Sequence, residues 1–90
     1  MSEARRSVLI TNKRGLHARA SAKFVTLASS FGEEIEVFKD GHSVAGTSIM
    51  GLMMLAAGPG DHIEIVARGP NAESSLAALV QLVEEKFGEE

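Results

Sequence analysis

Residues 15–22, with the sequence GLHARASA, carry the side chains best suited to chemistry. His17 stands where a cationic loop is predicted to become a helix, and Arg19 follows two residues later. A helix start presents unpaired backbone N–H groups at the positive end of the helix dipole, which makes it an anion site. A neutral imidazole there can attack phosphorus, and the added charge would meet the amides of Ala18 and Arg19. The pattern favours a phosphoryl group carried on His17, with charge-assisted hydrogen bonds from Arg19.

Other chemistry is less well supported. A histidine that only caps or packs the helix is the structural alternative to a reactive His17. Ser21 could join His17 in part of a hydrolase triad, but the sequence places no acid to orient the ring and has no nucleophile elbow. His42 and His62 are expected to be solvated, and the three histidines lack metal-ligand spacing. Residues 58–60 (Gly-Pro-Gly) predict a tight turn rather than a phosphate-binding loop.

Hydrophobic periodicity predicts the elements that must position His17. The predicted order is β-α-β-β-α-β-α, with strands at residues 7–11, 34–38, 42–45 and 62–67 and helices at residues 17–30, 48–57 and 71–87. Asp40-Gly41 is a two-residue hairpin signal, and Asn71 is the predicted cap of the last helix. Strands with one apolar face need helices to cover them, so an α+β domain of two layers is expected. Periodicity leaves the remaining strand order open.

Composition narrows the classes further. Ninety residues suit one small domain over residues 1–90, and the chain has no cysteine for disulfide or thiolate chemistry. No apolar run approaches the ~20 residues of a membrane span, and no secretion signal is recognisable, so we expect a cytoplasmic protein. We also expect a small phosphoryl carrier to be monomeric and to need no cofactor. The net charge of −3 disfavours nucleic acid as a partner. Residues 1–32 nevertheless hold six basic residues and one acid, which gives His17 a positive surrounding field.

Two segments resemble the HPr family of histidine-containing phosphocarriers in the bacterial phosphotransferase system. The first is Leu16-His17-Ala18-Arg19 with its following helix, and the second is residues 48–53 (SIMGLM). The resemblance implies an open-faced sandwich, in which three helices cover one face of a four-stranded antiparallel sheet of order 1-4-2-3. It also implies that Nδ1 of His17 takes phosphate from Enzyme I, which uses phosphoenolpyruvate, and passes it to an Enzyme II A-type protein, with Arg19 assisting. One departure is Ala20, where the family usually has proline; alanine keeps the helix and adds an N–H, so we expect a functional site with a looser entry.

Ser48 has two interpretations. Serine is a favoured helix cap, and that role alone would explain it. The resemblance implies a second role, in which an ATP-dependent HPr kinase/phosphorylase of some bacteria phosphorylates the matching serine. The added charge of about −1.5 to −2 could then repel an acidic Enzyme I. Thr47 is a competing acceptor for this phosphate.

The segment after Ser48 is apolar nearly all round, which is more than one buried stripe requires. Leu52 and Leu55 are the predicted core residues, while Ile49, Met50 and Met53 could form an exposed patch. Methionines adapt to different partner surfaces, and exposed apolar patches often mark interfaces. A carrier that meets several proteins in turn needs such a surface.

We therefore expect a stoichiometric phosphoryl carrier rather than an enzyme with its own small substrate. Within the family, the nitrogen-related branch is an open alternative, in which the same transfer serves regulation rather than sugar transport. A regulatory module read through phosphorylated Ser48 is an alternative from another class, although His17 speaks against it as the sole role.

Overall fold

The computed structural model describes residues 2–89, which form a four-stranded sheet with helices packed on one face. The strands are β1 (Glu3–Leu9), β2 (Glu34–Lys39), β3 (His42–Ala45) and β4 (His62–Arg68), and the helices are α1 (Ala18–Ser29), α2 (Ile49–Met54) and α3 (Ala72–Glu84), followed by a 3₁₀ turn at Lys86–Gly88. Neighbouring strands pair antiparallel in the order β1-β4-β2-β3. The α+β open-faced sandwich of order 1-4-2-3 is thus confirmed. Within residues 2–89, no helix is both long enough and apolar enough to cross a bilayer.

The core lies between the helices and the face of the sheet that they cover. Alternate residues of the central strands point into it, so Ile63 and Ile65 of β4 are buried beside Val37 of β2. Phe24 of α1 and Leu79 of α3 are fully buried on the helical side. This burial explains why the strands alternate and why the helices carry a single apolar stripe.

The opposite face of the sheet is covered by ion pairs. Val66 of β4 points to this side and is still fully buried. Its cover includes Arg68, which lies 3.1 Å from Glu3 and 2.9 Å from Glu36, and Arg5, which lies 3.4 Å from Glu64. These pairs explain why β1 already begins at Glu3.

The predicted bounds of the first strand, residues 7–11, are therefore wrong at both ends. The charged residues before Ser7 pair with β4 from Glu3 opposite Arg68 onward, and the strand ends at Leu9. The ionic partners of this segment in β4 lie some sixty positions away in the sequence, so local periodicity does not reveal the pairing. Thr11 lies beyond the strand.

The turn predictions succeed at one point and fail at another. Asp40 (φ +51°) and Gly41 (φ +83°) both occupy the left-handed region, as a type I′ hairpin requires, so the predicted hairpin is confirmed. The second helix was predicted to reach Ala57 but ends at Met54. Ala56 has a φ of +55°, which no helix can continue through.

The start of α3 is capped from outside the helix. Asn71 occupies the N-cap position, as predicted, but the capping hydrogen bond expected from its side chain is not made. The carboxylate of Glu33, in the loop before β2, accepts instead from the Asn71 N–H at 3.0 Å and from the Ser75 hydroxyl at 2.6 Å. A sequence-distant carboxylate thus takes the position that a local cap would occupy.

This contact makes the stability of the fold depend on pH. The hydrogen bonds from Ser75 and Asn71 lower the pKa of Glu33 below 4.5, although burial opposes the shift. A carboxyl group whose pKa is lower in the folded than in the unfolded protein stabilises the fold at pH values above its unfolded-state pKa. This stabilisation is lost as the pH falls through the folded-state pKa. We expect Glu33→Gln to melt at a lower temperature than the wild type at pH 7. The difference should hold down to about pH 5 and shrink below about 4.5, near the unfolded pKa.

Thermal unfolding followed by circular dichroism between pH 7 and pH 3 measures this difference. Glu84→Gln removes the same charge from an exposed position at the other end of α3 and serves as the control. A difference between wild type and Glu33→Gln that stays constant through pH 3 would contradict the proposed capping.

Candidate functional site

His17 lies at the N-cap of α1, where the chain passes from loop to helix. Its backbone is extended (φ −76°, ψ −178°), and its Nδ1 accepts a hydrogen bond from the backbone N–H of Arg19 at 3.3 Å. Of the two predicted anion donors, the structure thus places the Arg19 amide rather than the Ala18 amide against the ring nitrogen. About 19% of the His17 side chain is exposed, so the ring is partly accessible.

The loop immediately before α1 is held by hydrogen bonds from several directions. Leu16 donates its N–H to the carbonyl of Ala57 at 2.9 Å. The side-chain amide of the fully buried Asn12 donates to the carbonyl of Gly15 at 2.9 Å. The Ser21 hydroxyl donates to the Leu16 carbonyl at 3.1 Å. These bonds fix the direction from which the chain enters the helix.

The hydrolase alternative fails because of Ser21. Ser21 is fully buried, and its hydroxyl is committed to a backbone carbonyl. A hydroxyl without access to substrate cannot act as the nucleophile of a triad. The alternative therefore has no support in the geometry.

The expectation that no acid orients the ring is wrong. Oε2 of Glu89 lies 2.8 Å from Nε2 of His17, and Oε1 of the same carboxylate accepts from Asn12 Nδ2 at 3.3 Å. Both partners of the Asn12 amide nitrogen are acceptors, which fixes the orientation of that amide. Within residues 2–89, nothing donates to its Oδ1.

Glu89 reaches the site through an unusual backbone path. The last helix was predicted to include Phe87, but Lys86 (φ +57°), Phe87 (φ +56°) and Gly88 (φ +76°) are all left-handed. Phe87 is fully buried, and its carbonyl accepts from Nζ of Lys23 at 2.7 Å. Left-handed conformations are strained for side chains such as these, and strain of this kind clusters at functional sites. No local sequence signal announces a turn of this type around a phenylalanine.

The charges around the ring favour an anion. A cleft of about 240 Å³ is lined by Lys13, Arg14, His17, Arg19 and Glu89, so three cationic side chains face one carboxylate. Burial raises the pKa of Glu89, but hydrogen bonds from His17 and Asn12 and the charge of Arg19 outweigh it and leave the pKa lowered. The carboxylate is therefore ionised near neutral pH.

Ser48 is the N-cap of α2, as predicted. Its Oγ accepts a hydrogen bond from the N–H of Gly51 at 2.9 Å, and its backbone is extended. Ser48 is half-buried, whereas the neighbouring Thr47 is exposed. The capping role is thus present in the structure, whatever else the hydroxyl does.

The residues after Ser48 divide between core and surface as predicted. Leu52 and Leu55 are buried. The exposed residues are Ile49 (42%), Met50 (72%), Met53 (44%) and Met54 (77%), which we name the α2 patch. Met54 was missed, because a helix expected to continue to Ala57 gave no reason to single it out. Helices α1 and α2 pack against each other, and the Leu16 N–H donates to the carbonyl of Ala57, so the loop that enters α1 is held by the segment that follows α2.

The remaining predicted features take no part in the candidate site. His42 and His62 are exposed, as expected. Residues 58–60 form the expected turn, in which Asp61 closes back on Gly58 through its N–H at 3.0 Å and through its carboxylate at 2.9 Å. Within residues 2–89, no group of three or more histidine or carboxylate side chains is arranged to hold a metal ion.

Comparison with known proteins agrees with this geometry. The family model described as "PTS HPr component phosphorylation site" matches residues 4–85. The phosphocarrier protein HPr of Cupriavidus necator is 44% identical over 84 residues, which cover 93% of this chain and 94% of that protein. The phosphocarrier protein NPr of Shewanella violacea is 40% identical over 89 residues, which cover 99% of this chain and 98% of that protein.

Solved structures give the same result. The crystal structure of HPr from Thermoanaerobacter tengcongensis superposes with a TM-score of 0.90 at 46% identity, covering 100% of this chain and 99% of the other. The structure of HPr from Bacillus anthracis superposes with a TM-score of 0.87 at 41% identity, covering 92% of this chain and 99% of the other. With the family model spanning most of the sequence, this chain belongs to the HPr family of phosphocarrier proteins of the phosphotransferase system.

Proposed function

We propose that the chain accepts a phosphoryl group on Nδ1 of His17 from Enzyme I and passes it to an Enzyme II A-type protein. The observation that carries this proposal is the position of Nδ1, which faces the Arg19 amide at the first turn of α1. After transfer, that N–H would donate to a phosphoryl oxygen at the positive end of the helix dipole.

The side chains of the cleft support an added anion. Arg19, Lys13 and Arg14 line it and supply positive charge where the phosphoryl group would sit. The guanidinium of Arg19 is the group best suited to hold phosphoryl oxygens, since its planar fork of donors matches them. Ala20, in place of the usual proline, is fully buried and lies in the first turn, where amides lack intrahelical acceptors. We expect the carrier role to persist with this residue.

The chain acts as a stoichiometric carrier in this proposal. It supplies an accessible imidazole and a cationic cleft, while the partner proteins supply the remaining catalytic groups. Incubation with Enzyme I and labelled phosphoenolpyruvate should place one acid-labile phosphate on each chain, and mass spectrometry measures that stoichiometry. If the chain stays unlabelled while a known HPr is labelled in parallel, the proposal is wrong.

A second candidate function is the nitrogen-related branch, and the likeness to an NPr over 99% of the chain is the observation that favours it. The chemistry at His17 is the same in both branches. The labelled protein, offered to sugar-type and nitrogen-type Enzyme II A proteins in turn, distinguishes them by the rate at which each removes the phosphate.

We also propose that the α2 patch contacts Enzyme I and the acceptor. Its four apolar side chains are exposed on a helix that packs against α1, and three of them are adaptable methionines. Ser48 borders this patch as the cap of α2, so a phosphate there would add negative charge to the docking surface. An HPr kinase/phosphorylase would use this effect for regulation, and the Gly51 N–H that now donates to Ser48 Oγ would be a donor for the added phosphate.

One titration tests both parts of this surface. With ¹⁵N-labelled protein, Enzyme I should shift the amide resonances of residues 48–54. After treatment with HPr kinase and ATP, mass spectrometry should locate phosphate on Ser48. The same titration should then show binding weakened by about tenfold, because the added negative charge faces like charge on an acidic partner. Ser48→Ala, with Thr47 intact, is the control for the competing acceptor. Shifts that avoid α2, or phosphate found on Thr47, would contradict the respective assignment.

A further inference from the structure

We propose that Glu89 is a positioning residue for phosphoryl transfer: its carboxylate holds the proton on Nε2 of His17 and so leaves Nδ1 as the nucleophile. The inference rests on the proposed function and assigns a role to a residue that the two sequence signatures do not include. It starts from the two ring contacts, at 2.8 Å on Nε2 and 3.3 Å on Nδ1.

The two contacts give the ring nitrogens opposite roles. An ionised carboxylate only accepts hydrogen bonds, so Nε2 beside Glu89 must carry the ring proton. A backbone N–H only donates, so Nδ1 beside Arg19 must present its lone pair. In a neutral imidazole, one nitrogen is a donor and the other an acceptor, and the partner of each decides which is which. The geometry therefore selects one tautomer, with Nδ1 free to attack.

Glu89 is itself held in place. Asn12 donates to its second oxygen at 3.3 Å, and the preceding turn is anchored by the buried Phe87. Lys23 fixes that turn through the Phe87 carbonyl at 2.7 Å. About 20% of the Glu89 side chain is exposed, so water competes only in part for its carboxylate. A supporting shell of this kind is what a residue needs to orient another.

The transfer step balances without any proton entering or leaving the ring. The Nδ1 lone pair forms the N–P bond while the bond from phosphorus to the donor breaks, and the donor departs with that electron pair. The ring then carries a positive charge, shared with Nε2–H, and the Glu89 carboxylate stabilises it. When the acceptor attacks phosphorus, the N–P bond breaks and its electron pair returns to Nδ1. Nε2 keeps its proton throughout.

The test compares Glu89→Ala and Glu89→Gln with the wild type. In proton NMR, the Nε2–H of His17 should give a slowly exchanging downfield signal in the wild type and in Glu89→Gln, whose amide oxygen still accepts. Glu89→Ala should lose the signal to exchange with water. Phosphorylation by Enzyme I should slow by about tenfold in Glu89→Ala, the effect of one partly exposed charge-assisted hydrogen bond. The phosphorylation rate of Glu89→Gln should lie between those of Glu89→Ala and the wild type, because glutamine keeps the hydrogen bond but not the charge.

The control is Glu84→Gln, which removes an exposed carboxylate from the end of α3 and should change neither readout. A rate in Glu89→Ala equal to that of the control overturns the proposal. A faster rate also overturns it, because Glu89 would then obstruct the cleft rather than orient the ring. The NMR signal needs no phosphoryl donor, so an absent signal refutes the role of Glu89. A wild type that takes no phosphate refutes the proposed function instead.

Discussion

Replacing His17 with alanine or asparagine should reduce labelling by Enzyme I and phosphoenolpyruvate to background. Within residues 2–89, only His17 combines a ring nitrogen facing a helix-start amide with a cleft lined by three cationic side chains. Its phosphoramidate would be acid-labile, which distinguishes it from a phosphate on Ser48. Whether the label survives acid or alkali treatment identifies the type of phosphate bond, and mass spectrometry locates the phosphorylated residue.

The asparagine variant separates chemistry from folding. His17 also caps α1 through Nδ1, so alanine removes a nucleophile and a cap together. Asparagine is among the strongest N-cap residues, and its oxygen can accept from the same first-turn amides. We expect His17→Asn to melt close to the wild type and still to remain unlabelled.

The other two histidines provide matched controls. His42 and His62 are exposed at the starts of β3 and β4, away from a helix N-terminus. His42→Ala and His62→Ala should be labelled like the wild type. Acid-labile phosphate that persists on His17→Asn would show that another residue accepts the phosphoryl group.

Local signals predicted much of this molecule. The Asp40-Gly41 hairpin needs two left-handed residues in succession, which that pair supplies at low cost, and the structure has it. His17 and Ser48 each stand before a helical pattern, and each is found as a cap. The excess of apolar residues around Met50 predicted a surface patch, because a short helix can bury only one side.

Three of the features that escaped prediction depend on carboxylates distant in sequence. Glu89 contacts a ring 72 positions earlier, Glu33 caps a helix that begins about forty positions later, and Glu3 pairs with Arg68 of β4. Such contacts need the tertiary fold, and neither spacing nor periodicity encodes them. Composition assigned no role to the acidic residues of the second part of the chain, which include the one that orients the reactive ring.

Gly15→Ala should be strongly destabilising and should also misplace the reactive ring. Gly15 has a φ of +61°, and a Cβ there would collide with the carbonyl oxygen of Ala57 and lie 2.7 Å from Cα of Gly58. Both obstacles are backbone atoms, so no side-chain rotation can relieve the clash. The same Ala57 carbonyl accepts the N–H of Leu16, the residue before His17. The loop would have to move away from this acceptor and carry the imidazole with it.

Gly60→Ala is the matched control, because its φ is also positive (+92°) while nothing lies within 4 Å of its added Cβ. We expect the free energy of unfolding of Gly60→Ala to fall by about 1 kcal/mol, because the alanine must adopt a left-handed conformation. The free energy of unfolding of Gly15→Ala should fall by on the order of 3 kcal/mol, since the clash adds an overpacking cost of ~1–3 kcal/mol. Chemical denaturation gives both values, and Enzyme I labelling at a temperature where both variants are folded should be slowed only in Gly15→Ala. Equal losses in the two variants would mean that residues 57–58 can retreat, and that the entry to α1 is less rigidly held than its hydrogen bonds indicate.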